Sequence, residues 1–388
     1  MIPGGVNSYA RSIEAGWTPH PPVIRSGLGS RILDEDGREY LDCLLGLGAV
    51  FPGHREPAIC AAVERHIRDC GSMFALPVAA EAEVAEKIVA MVPAVEQVRF
   101  CNTGTEAMMF AVRIARAWTR RQRIVLFEGM YHGFGDSVSI DPARIILPWN
   151  DENAVEEAFR RFGDDIAAVL TEPIMCNSGC RLPARDFLSF LERRTRSSGA
   201  LLIFDEVITG FRLGAGGAQG RYGIAPDLTA FGKALGGGYP VACLGGRSDI
   251  LNLVADGSVR MMGTYAANGA AVAAAGAALD LYQSTTKVAD ADALGEALQS
   301  RLRVAAKDHG VAARVDGVGP IFQITFLDED ARSIPSAYSW WWREMIGEGV
   351  IFHPDPSEVL FLSTAHQQAD IDEFLACAGR VFAVMAAR

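Results

Sequence analysis

One lysine lies in a setting that is unusual for a surface charge. Lys233 follows the apolar run "LTAFG" and precedes three consecutive glycines, Gly236 to Gly238. An isolated lysine in a soluble protein is usually solvated. Here the strand-like run before it and the glycine backbone after it predict an amine that lines a cleft. Such an amine could form a Schiff base with a carbonyl compound.

Two carboxylates end another apolar run. Asp205 closes "LLIFD", and Glu206 follows it. Ligands of α/β sheets bind at the carboxyl ends of strands, and a buried carboxylate needs a cationic or donor partner. Asp205 is therefore a candidate partner for a ring nitrogen. A helix N-cap is an equally good interpretation, because Asp often caps a helix that follows a strand.

A phosphate site is predicted where a long helical pattern begins. Asn102, Thr103, Gly104 and Thr105 precede the helical pattern of "EAMMFAVRIARAW". The start of a helix collects unbonded N–H groups and the positive end of the helix dipole. Gly104 permits close backbone approach, and Thr105 adds a hydroxyl, so this segment could hold a phosphate. Thr103 and Glu106 also match a capping box, which requires no ligand.

Loop residues after two further strands could complete the site. Tyr131 and His132 follow "RIVLF" and place rings where a flat ligand could stack, although either ring could equally pack in a core. Glu172 and Asn177 come at the end of the run "IAAVLTEP" and just beyond it, at a loop edge where ligand contacts accumulate. With the helix start, the strand-end carboxylate and the lysine, these are the parts needed to hold pyridoxal phosphate.

The elements that position these residues are apolar runs alternating with amphipathic helical stretches. The runs "RIVLF", "IAAVLTEP", "ALLIFDEV", "LTAFGK" and "VACLGG" predict strands of an α/β sheet covered by helices on both faces. A chain of 388 residues exceeds a typical single core. We expect a large, doubly wound, mostly parallel domain over 41–280. A smaller α+β domain over 281–388 is expected to be joined by the N-terminal segment 1–40.

Composition excludes several classes of function. The formal net charge of −11 argues against nucleic acid as a partner, because phosphate backbones need a basic face. The sequence shows neither a signal sequence nor an apolar span long enough to cross a membrane, which predicts a soluble cytoplasmic protein without a membrane partner. The eight cysteines are scattered, and no second pair accompanies Cys176 and Cys180, so no metal site is expected.

Several motifs together resemble one enzyme family over almost the whole chain. They are "IPGGVNSYARS", "NTGTEAMMFAVRIARAWT", "FEGMYHG", "EPIMCNSG", "DEVITGFR", "PDLTAFGKALGGG" and "FLSTAHQQADI". The chain resembles the class III (ω-type) aminotransferase branch of fold-type I pyridoxal-phosphate enzymes, and within it the glutamate-1-semialdehyde 2,1-aminomutases. The combination of "DEVITGFR" with "PDLTAFGKALGGG" is highly specific. A nicotinamide dehydrogenase would require a glycine fingerprint between an early strand and a helix, which is absent.

The resemblance implies roles for the residues that match the family motifs. Lys233 resembles the Schiff-base lysine and proton shuttle, and Asp205 the partner of the pyridinium nitrogen. The phosphate cradle would be Thr103, Gly104 and Thr105. Tyr131 and Val207 would lie against the two faces of the ring, beside His132, and Asn177 would contact the ring hydroxyl. Lys233, Asp205 and Tyr131 are the expected catalytic residues.

The resemblance also implies a partner subunit and substrate contacts. Thr264 lies where a threonine of the neighbouring subunit completes the phosphate site, which implies a homodimer. Ser8 and Arg11 match residues that receive the substrate carboxylate, a role that suits the bidentate donor fork of arginine. Glu358 matches a glutamate that faces the substrate amines.

One departure from the family bears on the reaction. The connection from Tyr131 to Trp149 is much shorter than the mobile lid of the aminomutases. An aminomutase must retain its diamine intermediate, whereas a transaminase must release its first product. The short connection therefore favours transfer from an amino acid to a keto acid or aldehyde, through the pyridoxamine phosphate form of the cofactor. The aminomutase reaction, or racemisation on the same scaffold, remains the alternative.

Overall fold

The computed structural model describes residues 1–387, which divide into two compact units. The first contains residues 1–56, 176–181 and 289–387, and the second contains 57–175 and 182–288. These boundaries differ from the predicted ones at 40 and 280. The first unit extends to residue 56 because β3 (Glu39–Asp42) pairs with β13 (Val350–Ile351) near the end of the chain. It takes in 176–181 because Gly179 N–H donates to the Ser357 carbonyl.

The second unit is built on a seven-stranded sheet. The strand order is β4-β10-β9-β8-β7-β5-β6. The strands are β4 (Gln97–Cys101), β5 (Arg123–Phe127), β6 (Arg144–Leu147), β7 (Ile166–Thr171), β8 (Leu201–Glu206), β9 (Leu228–Phe231) and β10 (Ala242–Gly246). Strands β5 to β9 run parallel, and β10 is antiparallel to both of its neighbours. The predicted mostly parallel sheet of the α/β class is confirmed.

Burial explains why the sequences of these strands are continuous apolar runs. Every residue of β7, β8 and β9 is buried, as expected for central strands that helices cover on both faces. The covering helix α4 (Gly104–Thr119) packs Ala107, Ala111 and Ile114 against the sheet. The other helices are α2 (Pro57–Asp69), α3 (Ala79–Met91), α5 (Asp136–Ser139), α6 (Glu152–Phe162), α7 (Phe187–Ser198), α8 (Gly217–Tyr222), α9 (Ser248–Ala255) and α10 (Gly269–Ser284).

The first unit is an α+β assembly with two small sheets. One sheet has the order β1-β2-β3-β13, with β1 (Ile24–Leu28) and β2 (Arg31–Asp34). The other has the order β11-β12-β14, with β11 (Ala313–Val318), β12 (Ile321–Phe326) and β14 (Leu360–Phe361). Its helical elements are α1 (Leu45–Gly48), α11 (Lys287–Asp308), α12 (Pro335–Gly347) and α13 (Gln368–Ala386). In α12, Trp341 and Trp342 are buried in the core.

Within residues 1–387, none of the helices combines the length and the apolar composition that crossing a membrane requires.

Candidate active site

Lys233 stands at the carboxyl end of a buried strand. Strand β9 ends at Phe231, and Lys233 opens a 3-10 turn that runs to Gly236. Its backbone φ is +45°, in the left-handed region that residues other than glycine adopt at a cost of about 1–2 kcal/mol. The Tyr282 hydroxyl donates to the Ala234 carbonyl at 2.7 Å and holds this turn. A half-buried lysine in a strained backbone conformation is typical of a functional site.

Asp205 lies beside that strand end, in the neighbouring parallel strand. The register pairs Asp205 with Ala230 and Glu206 with Phe231. The Asp205 side chain is buried, and its Oδ1 accepts from the Val207 N–H at 3.1 Å. The N-cap interpretation of Asp205 is wrong, because the next helix begins only at Gly217. The carboxylate instead lies at the carboxyl end of the central strand β8, where a ligand would bind.

His132 is held against Asp205. The distance from His132 Nδ1 to Asp205 Oδ2 is 2.9 Å, and both side chains are buried. Because a carboxylate only accepts hydrogen bonds, Nδ1 carries the hydrogen. His132 Nε2 is buried without a hydrogen-bond partner in the part of the chain that the structure describes. His132 thus contacts the predicted ring-nitrogen partner, a pairing that the sequence pattern did not indicate.

The start of α4 combines a capping box with unused donors. Thr103 Oγ1 accepts from the Glu106 N–H, and the Glu106 carboxylate accepts from the N–H groups of Asn102 and Thr103. Within residues 1–387, no hydrogen bond engages the N–H groups of Gly104 and Thr105. The capping box is therefore present, and it leaves two N–H groups at the positive end of the helix that could bind an anion.

Val207 packs these segments together. A Cβ added at Gly104 would lie 2.8 Å from Val207 Cγ2, and one added at Gly232 would lie 3.4 Å from Val207 Cγ1. A Cβ at Gly133 would lie 2.4 Å from Thr105 Oγ1. Glycine is thus required at 104 and 133 for the helix start, the strand end and the loop of His132 to approach one another.

Tyr131 has an exposed ring on an anchored backbone. The Tyr131 N–H donates to Glu172 Oε1 at 3.0 Å, and Glu172 is buried. Tyr131 is 56% exposed, so core packing is the wrong interpretation of this residue. An exposed ring on a fixed loop could stack on a flat ligand.

The first unit holds Ser8 and Arg11 on one turn. The Arg11 N–H donates to the Ser8 carbonyl at 3.0 Å, and both side chains are exposed. Ala10, between them, accepts from the Trp17 indole N–H and contacts His353 Nε2, each at 2.9 Å. No ion pair involves Arg11 within residues 1–387, so its guanidinium is available to an anion.

Asn177 and Glu358 lie on neighbouring loops of the first unit. Asn177 is in a 3-10 turn (Cys176–Ser178). Gly179, which follows this turn, donates its N–H to the Ser357 carbonyl at 2.9 Å. The Glu358 N–H donates to the Asp355 carbonyl, and Glu358 is half-buried. The loop of Glu358 therefore adjoins the segment that carries Asn177.

Thr264 lines an open cavity of about 670 Å³ in the second unit. The cavity is also lined by Asn102 and Glu106 at the start of α4. Three large apolar side chains on its rim are strongly exposed, namely Phe74, Leu76 and Met262. Thr264 is itself exposed.

The donor set of the second unit fits pyridoxal phosphate. The two unused N–H groups of α4 suit the phosphate, and Asp205 retains lone pairs for a third donor such as a ring N–H. Lys233 supplies an amine at the adjoining strand end. These are the contacts that a phosphorylated pyridine aldehyde requires.

A family model and a full-length relative both place the chain in one enzyme family. The family model for Aminotransferase class-III matches residues 13–139 and 142–376. A glutamate-1-semialdehyde 2,1-aminomutase from Sulfurihydrogenibium azorense is 39% identical over 411 residues, covering 98% of this chain and 96% of that protein.

Two solved structures are similar over the whole chain. A β-phenylalanine aminotransferase from Variovorax paradoxus is 32% identical with a TM-score of 0.91, covering 100% of this chain and 92% of that one. A transaminase with PLP bound is 28% identical with a TM-score of 0.92, covering 100% of this chain and 95% of that one.

Proposed function

The chain belongs to the class-III aminotransferase family, and from that premise we propose that it transfers the amino group of a carboxylate-bearing amine to a keto acid or an aldehyde. It is a pyridoxal-phosphate-dependent enzyme of fold type I. The observation that carries the proposal is the juxtaposition of the Lys233 strand end, buried Asp205 and the unused donors of α4 in one unit.

Each of these residues has a distinct task. When bound, pyridoxal phosphate carries the amino group and withdraws electrons from the carbon that bears it. Lys233 would hold the cofactor through a covalent bond to its Nζ. The same Nζ, as a free amine, would be the base that removes the proton from that carbon. Asp205 would keep a proton on the ring nitrogen, and His132 holds the Asp205 carboxylate in place through its 2.9 Å contact.

The carboxylate specificity is assigned to Ser8 and Arg11. Both are exposed on the same turn, and the backbone between them is fixed by Trp17 and His353. A guanidinium without an ion pair in the described chain can bind a carboxylate bidentately. Glu358 is proposed to face the substrate amine.

The connection from Tyr131 to Trp149 favours a two-substrate reaction. Within it, α5 and β6 account for 136–139 and 144–147, and β6 pairs along its whole length with β5 at the sheet edge. These residues are committed to the fold, so little chain is left to close over a reaction intermediate. An open site suits release of the first product before the second substrate binds.

Glutamate-1-semialdehyde 2,1-aminomutase activity is the second candidate. Among the comparisons, the relative of that name at 39% identity over nearly the full length supports it more directly than it supports transamination. In that reaction the amino group would return to a different carbon of the same molecule. The same lysine and aspartate would be used.

Absorbance of the loaded enzyme separates the two candidates. Glutamate, alanine and a β-amino acid are added one at a time to the holoenzyme. We expect one carboxylate-bearing donor to bleach the visible cofactor band and to release one carbonyl product per bound cofactor. The variant R11Q should need at least about tenfold more of that donor, because a bidentate carboxylate contact is lost.

An amine without a carboxylate is the matched control. The concentration of 1-phenylethylamine that bleaches the band should be the same for the wild type and R11Q. Formation of 5-aminolevulinate from glutamate-1-semialdehyde, with no carbonyl product released from any donor, would replace the main proposal by the second candidate. A band that neither kind of substrate changes would contradict both.

A homodimer is proposed from the surface around Thr264. The cavity that Thr264 lines has Phe74, Leu76 and Met262 on its rim, with 51%, 73% and 80% of each residue exposed. Large exposed apolar patches mark protein interfaces. Light scattering of the holoenzyme should give about twice the chain mass of 41.7 kDa. A mass of one chain would contradict the dimer and the contribution of Thr264 to a second site.

A further inference from the structure

Glu206 is a completely buried carboxylate that the proposed reaction does not use. It follows Asp205 at the end of β8 and has 0% exposure. Its Oε2 accepts from the Thr209 hydroxyl at 2.9 Å and from the Ala218 N–H at 2.6 Å. Its Oε1 accepts twice from Gln219, through the backbone N–H at 3.0 Å and the side-chain amide at 2.9 Å. Four donors thus converge on one side chain.

These hydrogen bonds bring the far end of the loop after β8 back into contact with Glu206, the residue at which the loop begins. A Cβ added at Gly217 would lie 2.4 Å from Glu206 Oε2, and Gly217 has a φ of +63°. A Cβ at Gly210 would lie 2.7 Å from the Glu206 carbonyl oxygen and 2.6 Å from Phe231 Cδ1. The loop therefore lies directly on the carboxylate, and glycine is required where it does so.

The same network reaches the strand that leads to Lys233. The Gln219 side-chain amide donates to the Thr229 hydroxyl at 3.3 Å as well as to Glu206. Thr229 is buried in β9, where the register places it opposite Phe204. A chain of hydrogen bonds from Glu206 through Gln219 to Thr229 thus joins the end of β8 to the second residue of β9, in addition to the backbone ladder.

Replacing the Glu206 carboxylate would leave buried donors of this network without an acceptor. Burial raises the pKa of Glu206, whereas the hydrogen bonds from Gln219, Ala218 and Thr209 lower it. A glutamine at 206 has one acceptor oxygen, and its NH₂ group would face a backbone N–H of Ala218 or Gln219. An unsatisfied buried donor destabilises its surroundings, so the loop would move away.

We propose that Glu206 is a positioning residue that fixes the spacing between the Asp205 carboxylate and the Lys233 amine. It does so by clamping the loop after β8 to Thr229 of β9 through Gln219. The inference rests on the proposed function, in which Asp205 and Lys233 act on the same cofactor. Glu206 itself touches neither the cofactor nor the substrate.

The test compares E206Q and T229V with the control D227N in the loaded enzyme. Asp227 accepts the Leu202 N–H and an Arg247 N–H, near the start of the same two strands. The readout is the pH midpoint of the visible cofactor band, which depends on the proton at Lys233 Nζ and on the nearby Asp205 charge. Thermal melting and the separate values of kcat and KM are recorded alongside.

E206Q should lower the pH midpoint by at least about half a unit, because a looser clamp weakens the average attraction between Asp205 and that proton. It should also lower kcat by about tenfold or more with KM within about threefold. T229V, which removes only the last bond of the chain, should shift the midpoint in the same direction by less. D227N should lower the melting temperature and leave the midpoint unchanged.

Unchanged midpoints in E206Q and T229V would overturn the proposal and leave Glu206 a stabilising residue only. If E206Q does not fold, T229V carries the test, since all four bonds to Glu206 remain in that variant. The midpoint requires no substrate. Failure of every amino donor would therefore contradict the proposed function without affecting this result.

Discussion

Replacing Lys233 with alanine is expected to reduce turnover by at least about a thousandfold. The variant loses both the covalent hold on the cofactor and the base that moves the substrate proton. Because alanine also has a Cβ, the strain at φ +45° is retained and the fold should be little affected. Pyridoxal phosphate should still bind through the N–H groups at the start of α4, but without a covalent bond.

The measurement is single-turnover kinetics of the donor half-reaction with K233A, beside equilibrium dialysis of the cofactor. K307A is the matched control, because Lys307 is exposed and remote in sequence from the site. K307A should have the single-turnover rate constant of the wild type. Turnover by K233A within about tenfold of the wild type would mean that another group holds the cofactor and moves the proton.

Replacing Asp205 with asparagine should reduce kcat by about a hundredfold or more. The change is nearly isosteric but removes the charge that keeps a proton on the ring nitrogen. It also creates a conflict of donors, because Val207 N–H, His132 Nδ1–H and the ring N–H all require acceptors at this side chain. The asparagine NH₂ group must face at least one of them.

The rate should be measured with saturating donor, so that a change in kcat is separated from weaker binding. The variant D249N is a suitable control, because Asp249 pairs with Arg247 at the surface of the same unit and should not affect kcat. If D205N retained the kcat of the wild type, the ring nitrogen would have no need of this carboxylate. The assignment of Asp205 would then be wrong.

The sequence was informative where one physical effect dominates. Strands β7, β8 and β9 are buried throughout, so their residues are apolar without interruption and the strands could be predicted from that run alone. The resemblance to class III enzymes is likewise confirmed, together with the cofactor. These features depend on residues that are contiguous in the chain, so they leave motifs that can be recognised in the sequence.

Other features depend on contacts between distant positions. Residues 41–56 belong to the first unit because β3 pairs with β13, which lies near the other end of the chain. His132 contacts Asp205 across the sheet edge. Neither contact leaves a local pattern. The positive φ of Lys233 is likewise a tertiary effect, since nothing in the type of that residue favours it.

The role of Glu206 could not be predicted from its position at the end of a strand. A carboxylate at a strand end is expected to be solvated or to bind a ligand, and both expectations suit Asp205 and Glu206 equally well. Both side chains are buried, and only the four donors that converge on Glu206 distinguish the two. The glycine at 217 was a potential signal, because it lets the loop approach the carboxylate.

Lys233 is proposed to hold the cofactor through which the amino group passes. The chain has only four lysines, Lys87, Lys233, Lys287 and Lys307, so the attachment point can be read from one peptide map. The holoenzyme is reduced with borohydride, digested and analysed by mass spectrometry. We expect the mass of a phosphopyridoxyl group on the peptide that contains Lys233 and on no other. A label on a different lysine, or a reduced holoenzyme without any label, would contradict it.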